Sequence, residues 1–369
     1  MNNKISILDI FHSHASWRIK VIKLIDYLVG GSIAFLYPSS SKGIIPSTVK
    51  NILIIRPGGI GDAVFILPIL HALKNKDITV DILCEKRNAE VFTSQPSLIR
   101  KVHCYDQTSF EIFKNTYDVI VDTEQWHYLS AVTARLIKAS FRIGFATRPQ
   151  RVKLYNKAVD YNLDGYELNN FIKLFEDFIH PEDIKGIEES FNVDVLWQDW
   201  ALKQIPQRFV TLFLGASITI RRLNEIQIRF IIQHYIDKNF SIVLLGGGDV
   251  AQFAEEITSK ISSAKVFNFA GKVSLIHSVA LIKQSSLFIG PDSGFMHLAS
   301  AVGTPVIGIF GPGNLEKWGP RGPLDKIISD RVSCSPCTRF GYTIPTCQKS
   351  YHCMNHLKLE SAILNFADD

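Results

Sequence analysis

The stretch that most constrains this chain is Phe288-Ile-Gly-Pro-Asp-Ser-Gly-Phe-Met-His-Leu-Ala-Ser-Ala-Val-Gly-Thr-Pro-Val-Ile-Gly-Ile-Phe-Gly-Pro312. The apolar run Leu287–Ile289 predicts a buried strand, Gly290–Gly294 a tight loop, Phe295–Val302 a short helix and Val306–Phe310 a second buried strand. Phe295, Leu298, Ala299 and Val302 fall at helical spacing and form one core-facing stripe. His297 lies roughly opposite that stripe, in the first turn, where core packing does not require it. Asp292, Ser293 and Gly294 therefore stand where a helix opens at the carboxyl end of a parallel strand, a place where α/β proteins bind phosphorylated ligands. The plainer alternative is that Asp292 or Ser293 only caps the helix. Capping accounts neither for the off-stripe His297 nor for the Gly-Thr-Pro turn into the next strand, so a ligand site is the favoured expectation.

A chain of 369 residues has room for two domains of ordinary size, and 46% apolar with 20% charged residues suits a soluble globular protein. The net charge of +5 is mild and the basic residues form no long block, so no nucleic-acid partner is expected. No run approaches the roughly 18 apolar residues of a spanning helix, and the Met1 region shows no secretory signal pattern. A cytoplasmic location follows as the default expectation.

Residues 1–50 read as an amphipathic helix plus a linker. Ser16–Val29 places Trp17, Val21, Leu24, Ile25, Leu28 and Val29 on one side and Lys20, Lys23 and Asp26 on the other. Such a helix either lies in a membrane interface, as a peripheral contact on the inner face of the cytoplasmic membrane, or packs on the first domain. Gly30–Ser47, rich in Gly, Ser and Pro, reads as the linker. Residues 51–200 form the first α/β domain. Strand Ile52–Ile55 runs into the glycine-rich turn Arg56-Pro-Gly-Gly-Ile-Gly-Asp62 and a helix over Ala63–Lys74. Gly58, Gly59 and Gly61 let the backbone approach a ligand but do not have dinucleotide-fingerprint spacing, which argues against nicotinamide or flavin. Spacing alone makes Asp62 a helix N-cap. Strands at Thr79–Leu83, Val102–Tyr105 and Tyr117–Val121 follow, the last ending at Asp122. Glu124, Trp126 and His127 then line an acceptor pocket or are plain loop residues, the commoner case. Arg148, Arg151 and Lys153 form a basic cluster, read as a solvated loop or as a site for an anionic acceptor.

From Tyr161 to Trp200 the pattern loosens, as in a passage between domains. Residues 201–369 repeat the alternation: strand Phe209–Leu214, turn Gly215-Ala-Ser217, helix Asn224–Ile236, strand Ile242–Leu245, the Gly246–Gly248 run with Asp249, and the opening stretch. Two such domains facing each other would leave a central cleft lined by strand-end loops. Arg221 and Arg222 suit an anionic ligand there, although paired arginines are usually surface charge. Cys334, Cys337, Cys347 and Cys353 crowd into one loop, while Cys84 and Cys104 stand alone in the sequence. Reduced thiols packing a loop are favoured there, with a structural zinc site as the alternative.

Ile54-Ile-Arg-Pro-Gly-Gly-Ile-Gly-Asp-Ala63, Tyr117-Asp-Val-Ile-Val-Asp122, Ala270-Gly-Lys-Val-Ser-Leu275 and Gly290-Pro-Asp-Ser-Gly-Phe-Met-His-Leu298 together resemble glycosyltransferase family 9, which includes the ADP-heptose:lipopolysaccharide heptosyltransferases. The resemblance runs in order from about Asn51 to Leu364. It implies a GT-B architecture of two Rossmann-like domains, the acceptor on the first and the nucleotide sugar on the second. It also implies inverting transfer of a sugar, heptose from ADP-heptose being favoured, onto a lipopolysaccharide core or related glycolipid, with no cofactor or metal required. Asp62 matches the family's catalytic base, and its place at a helix N-terminus favours the carboxylate. Gly59, Gly61, Glu124 and His127 fall on the acceptor side. Ser217, Arg221, Arg222, Asp249, Asp292, Ser293, Gly294 and His297 fall on the donor side, with Asp249 assigned to the nucleoside. Where relatives often carry a lysine followed closely by tryptophan, this chain has Arg221, Arg222 and Leu223. A non-catalytic nucleotide-sugar or glycan-binding protein of the same fold, or a transferase using another nucleotide sugar, is the alternative.

Overall fold

Six segments in the first half of the chain form six parallel strands: β1 (Asn51–Arg56), β2 (Thr79–Cys84), β3 (Lys101–Cys104), β4 (Thr116–Asp122), β5 (Lys138–Phe145) and β6 (Lys157–Val159). β1, β2 and β4 are almost continuously buried, as expected of strands covered on both faces. Their spatial order is β3-β2-β1-β4-β5-β6, so the winding direction reverses between β1 and β4. This computed structural model describes residues 17–107, 110–205, 208–261 and 263–339, and beyond them 342, 343, 347, 352–359 and 363. The segment after the cysteine loop, where the sequence also predicts a terminal helix, falls largely outside the described residues.

The second half repeats the plan with β7 (Phe209–Phe213), β8 (Ser241–Leu245), β9 (Val266–Asn268), β10 (Leu287–Pro291), β11 (Val306–Ile309) and β12 (Lys326–Ile328), again all parallel. The order β12-β11-β10-β7-β8-β9 is the same topology read from the other edge, with its reversal between β7 and β10. Val210, Leu212, Ile242, Leu244, Ile289 and Ile307 share a core with Ile228, Ile231 and Ile232 of the helix Glu225–Asp237. Asn224 caps that helix in a reciprocal capping box with Gln227.

The chain divides into two units between Gly186 and Ile187, earlier than the boundary at 200 expected from the sequence. The helix Val195–Gln204 packs against Leu275–Gln284 of the second unit, where Trp197 and Trp200 both meet the His277 ring edge-on. Residues 17–36 likewise pack on the first unit, where Asp26 accepts from the Leu129 N–H. Trp17–Ile25 (α1) passes through a π turn, Asp26–Gly30, into Gly31–Leu36 (α2), so part of the expected linker is helical. Gly30 does not break the helix because its lack of a side chain is used for packing: a Cβ there would lie 3.1 Å from Leu129.

The helix expected over Ala63–Lys74 is two helices, α3 (Ile60–Val64) and α4 (Leu67–Asn75). Pro68 sits in the first turn of α4, where its missing N–H costs nothing. The N-cap of α3 is Gly59, not Asp62, which instead occupies the first turn. Gly58 has a φ of 104°, a conformation that side chains with a Cβ rarely adopt. Cys84 and Cys104, solitary in sequence, are register partners with sulfurs 4.0 Å apart, and burial followed by the neighbouring thiol pushes Cys84 well above the usual thiol range.

Candidate functional site

At the reversal point of the first unit, the loop after β1 carries Asp62 and the loop after β4 carries Asp122–His127, because adjacent strands deliver both segments to the carboxyl edge. Two buried guanidiniums shape that edge. Arg56, 1% exposed, donates through Nη1 to the Thr123 carbonyl at 3.0 Å and through Nη2 to Glu124 Oε2 at 3.3 Å and Gln125 Oε1 at 3.4 Å. Arg151, fully buried, donates to the carbonyls of His127 and Glu124 and pairs with Asp122 at 3.3 Å. Tyr155 adds a 2.6 Å hydrogen bond to the same Asp122 oxygen.

Glu124 is therefore more than a loop residue. Its Oε1 accepts from the backbone N–H of Trp126 and His127 at the start of the helix Tyr128–Leu136 (α5), while Oε2 faces Arg56. Burial opposes its charge, but His127, Arg56 and Arg151 outweigh burial and hold its carboxyl below the usual range. His127 is partly exposed, and its Nδ1 lies 3.2 Å from Asp26 of the N-terminal arm. Here too burial is overcome, by Glu124 and Asp26, and the imidazole pKa is raised.

The basic cluster at 148–153 is neither a solvated loop nor an open anion site, since Arg151 is internal and Arg148 is 9% exposed. The Arg148 guanidinium lies over the rings of Trp126 at 4.3 Å, Tyr128 at 4.7 Å and Tyr27 at 5.7 Å. Sequence reasoning missed this cage, although the interleaving of aromatic residues with Arg148 was its signal. It also missed Glu167, fully buried, which accepts from Gln125 at 2.8 Å and from the Tyr161 hydroxyl at 2.7 Å. Burial, Glu167 and the charge of Asp62 together raise the Tyr161 phenol, which places Asp62 within electrostatic reach of this network. Asp62 itself is partly exposed.

The second unit has the matching edge. After β7 comes Gly215-Ala216-Ser217, with Ser217 exposed, and then a single 3-10 turn, Thr219–Arg221. After β10 comes Asp292, then the helix Gly294–Ala301 (α6). Stacking of Phe213 on Phe295, 4.4 Å between centroids, holds the start of α6 against the end of β7. Arg221 Nη1 stands 3.3 Å from Asp292 Oδ2, and Arg222 pairs with the half-exposed Asp249. Both arginines are thus tied to acids rather than being loose surface charge. Leu223, in the position of the family's tryptophan, is buried in the core.

Neither Asp292 nor Ser293 caps α6 through its side chain. Ser293 occupies the N-cap position without a capping bond, and Ser293 Oγ and Arg221 Nε are buried atoms with no hydrogen-bond partner in the protein. His297 is 3% exposed, so the helix is buried on the side expected to be open as well as along its stripe. Burial, and then the Arg221 charge, lower its pKa to about 4, which keeps the imidazole neutral. Burial raises Asp292 against the opposing pull of Arg221. Close packing extends to Gly313, where a Cβ would fall 2.1 Å from Asp292 Oδ2.

In the cysteine loop, burial and then neighbouring thiols raise Cys337, and they push Cys353 up to about 11, with Cys334 and Cys347 contributing to both. The four sulfurs therefore share a neighbourhood. Among the described residues no three His, Cys, Asp or Glu side chains are arranged to hold a metal ion.

Comparison with known proteins gives this geometry a context. The sequence profile described as "Glycosyltransferase family 9 (heptosyltransferase)" matches residues 110–346. Lipopolysaccharide heptosyltransferase 3 of Escherichia coli is 23% identical over 285 residues, covering 70% of this chain and 83% of the relative. The structure of E. coli ADP-heptose lps heptosyltransferase II matches with a TM-score of 0.71 and 16% identity, over 86% of this chain and 98% of that one. E. coli heptosyltransferase WaaC with ADP-2-deoxy-2-fluoro heptose matches with a TM-score of 0.64 and 17% identity, over 86% of this chain and 100% of that one. The fold is accordingly GT-B, two Rossmann-like domains of parallel sheet.

Proposed function

Because this chain belongs to glycosyltransferase family 9 and is a glycosyltransferase of the heptosyltransferase type, we propose that it moves heptose from ADP-heptose to a hydroxyl of a lipopolysaccharide-core acceptor with inversion at the anomeric carbon. The observation that carries this reading is the corner at the start of α6. Buried donors of Arg221 and Ser293 lack protein partners there, at a helix N-terminus beside the reversal of the sheet, as a diphosphate site requires. A bound ADP-2-deoxy-2-fluoro heptose in the similar WaaC structure supports the choice of donor.

In this mechanism Asp62 accepts the proton of the acceptor hydroxyl as that oxygen forms its bond to the anomeric carbon. The bond from the anomeric carbon to the diphosphate oxygen breaks on the opposite face, and ADP departs with the electron pair. Arg221 and the N–H groups opening α6 meet the charge that grows on the diphosphate, so they stabilise the transition state more than the ground state. Neutral His297 and Ser293 offer hydrogen bonds to phosphate, Ser217 and Arg222 border the same loop, and Asp249 holds Arg222 and addresses the nucleoside. In the first unit Gly59 and Gly61 leave space for the acceptor, while Glu124 and His127 shape its rim. No metal takes part in these steps.

The test pairs binding with turnover. ADP at about 100 times its dissociation constant adds roughly 2.7 kcal/mol of stability, with UDP, GDP and CMP weaker and EDTA without effect. Asp62→Asn retains ADP binding and loses about 100-fold or more in transfer. Preference for UDP or GDP rejects the heptose donor, and unchanged turnover in Asp62→Asn rejects the base. If no nucleotide stabilises the protein, the reading of the donor corner fails and a non-catalytic binding protein replaces it.

A further inference from the structure

The N-terminal arm buries the wrong face for a helix whose only task is to pack. Asp26, Gly30 and Ala34, four residues apart, are the positions turned inward. Trp17, Val21, Ile25, Leu28, Phe35 and Leu36 follow the same helical spacing on the outside, and Trp17, Phe35 and Leu36 are 70, 69 and 78% exposed. A contiguous row of this kind, rather than a single exposed apolar residue, marks an interaction surface.

We propose that this arm is a bilayer-docking surface, seating the first unit on the boundary between headgroups and acyl chains of an anionic membrane. The arm has the composition of an interfacial helix: Trp, Phe and Leu on the outer face, basic Arg18, Lys20 and Lys23 in its sequence, and a single acid. That acid, Asp26, is turned inward, where Oδ1 accepts from the Leu129 N–H at 2.7 Å and Oδ2 faces His127. With that acid engaged on the inner side, the partly exposed Lys20 sets a basic charge beside the apolar row, which suits anionic lipid. No helix among the described residues is long and apolar enough to cross a membrane, so the arm lies in the interface. Between arm and body a groove of about 470 Å³, lined by Tyr27, Leu28, Phe35, Leu36, Tyr128 and Gln150, opens on the same apolar surface.

The attachment is rigid enough to matter for the acceptor. Asp26 bonds the first turn of α5 and His127, Tyr27 lies over Arg148, and Lys153 donates to the Phe35 carbonyl. Docking thus holds the Glu124–His127 rim beside the lipid surface. This last step rests on the proposed glycolipid acceptor; the docking itself does not.

The experiment is co-sedimentation of the full chain with vesicles of phosphatidylglycerol and phosphatidylethanolamine, or of phosphatidylcholine alone. The expected result is binding to the anionic vesicles, a blue shift of Trp17 emission, and about a tenfold or greater loss of partitioning when Val21, Leu28, Phe35 and Leu36 are together replaced by serine. Those four side chains are exposed, so the variant should keep the parent melting temperature. Lys20→Glu should weaken binding to anionic vesicles while leaving the phosphatidylcholine background unchanged. Equal partitioning of parent and serine variant, or a parent that stays in the supernatant, overturns the proposal. A dimer dissociated by the serine substitutions assigns the face to a second copy and also overturns it. The vesicles contain neither acceptor nor nucleotide, and ADP stabilisation of the same variant reads the donor corner separately.

Discussion

His297 gives the corner at the start of α6 a pH signature that can be worked out in advance. Burial, and then Arg221, lower its pKa from 6.5 to about 4 in the folded protein. Above the unfolded value both states hold a neutral imidazole and the group contributes no pH dependence. As the pH falls below that value the unfolded chain takes up a proton that the folded chain refuses, so stability declines until the folded value is passed. With about 1.36 kcal/mol per unit, the loss is about 2 kcal/mol at about pH 5 and approaches about 3 kcal/mol below pH 4. His297→Gln removes this component while keeping a polar side chain. Arg221 and Asp292 remain in both proteins, so their own titrations largely cancel in the comparison. The assay is hydrogen exchange of the α6 amides, read as opening free energies for parent and variant at about pH 7.5 and about pH 5. The expected outcome is that the parent loses about 2 kcal/mol more than His297→Gln between those conditions. A difference that does not change with pH would refute the buried neutral imidazole, and a change of opposite sign would mean that the folded site holds the cation.

Arg151→Met leaves Asp122 buried beside Tyr155 without its cation and should destabilise the first unit by about 3–5 kcal/mol, visible as a lowered thermal midpoint. A midpoint within experimental error of the parent would show that Arg151 contributes no net stability. Leu223→Trp, which restores the residue common in the family, forces an indole into a filled core and should cost about 1–3 kcal/mol. A neutral or stabilising result would show unfilled space around Leu223.

Strands β1, β7, β8, β10 and β11 were readable because each is a short, mostly apolar run that leads directly into a glycine-bearing loop. The position of Asp292 and Ser293 at the opening of α6 was readable for the same reason, since the loop that bears them follows such a run directly, whereas the burial of His297 was not. The partner of Asp292 was not. Arg221 lies far from it in sequence and meets it only because β7 and β10 are neighbours at the reversal of the sheet. Burial of Arg56, Arg151 and Glu124 was hidden for a related reason: a charged residue is legible as internal only when its counter-charges are known, and these come from several separate segments. Sequence pattern suggested that the helix would end at Gly30, whereas the contact of Gly30 with Leu129 carries it on to Leu36. Asp62 was displaced by a few positions because Gly59, lacking any side chain to cap with, still supplies the extended backbone from which α3 starts.

The two guanidiniums beneath the 123–127 segment have a bearing on how it tolerates substitution. Arg56 and Arg151 grip that segment by its backbone carbonyls at Thr123, Glu124 and His127. A carbonyl is present whatever residue bears it, so this part of the grip survives substitution at 123, 124 and 127, while the Glu124 and Gln125 side chains add bonds that do not. A substitution along the segment can therefore loosen it without releasing it, because the carbonyl grip remains where a side-chain bond is lost.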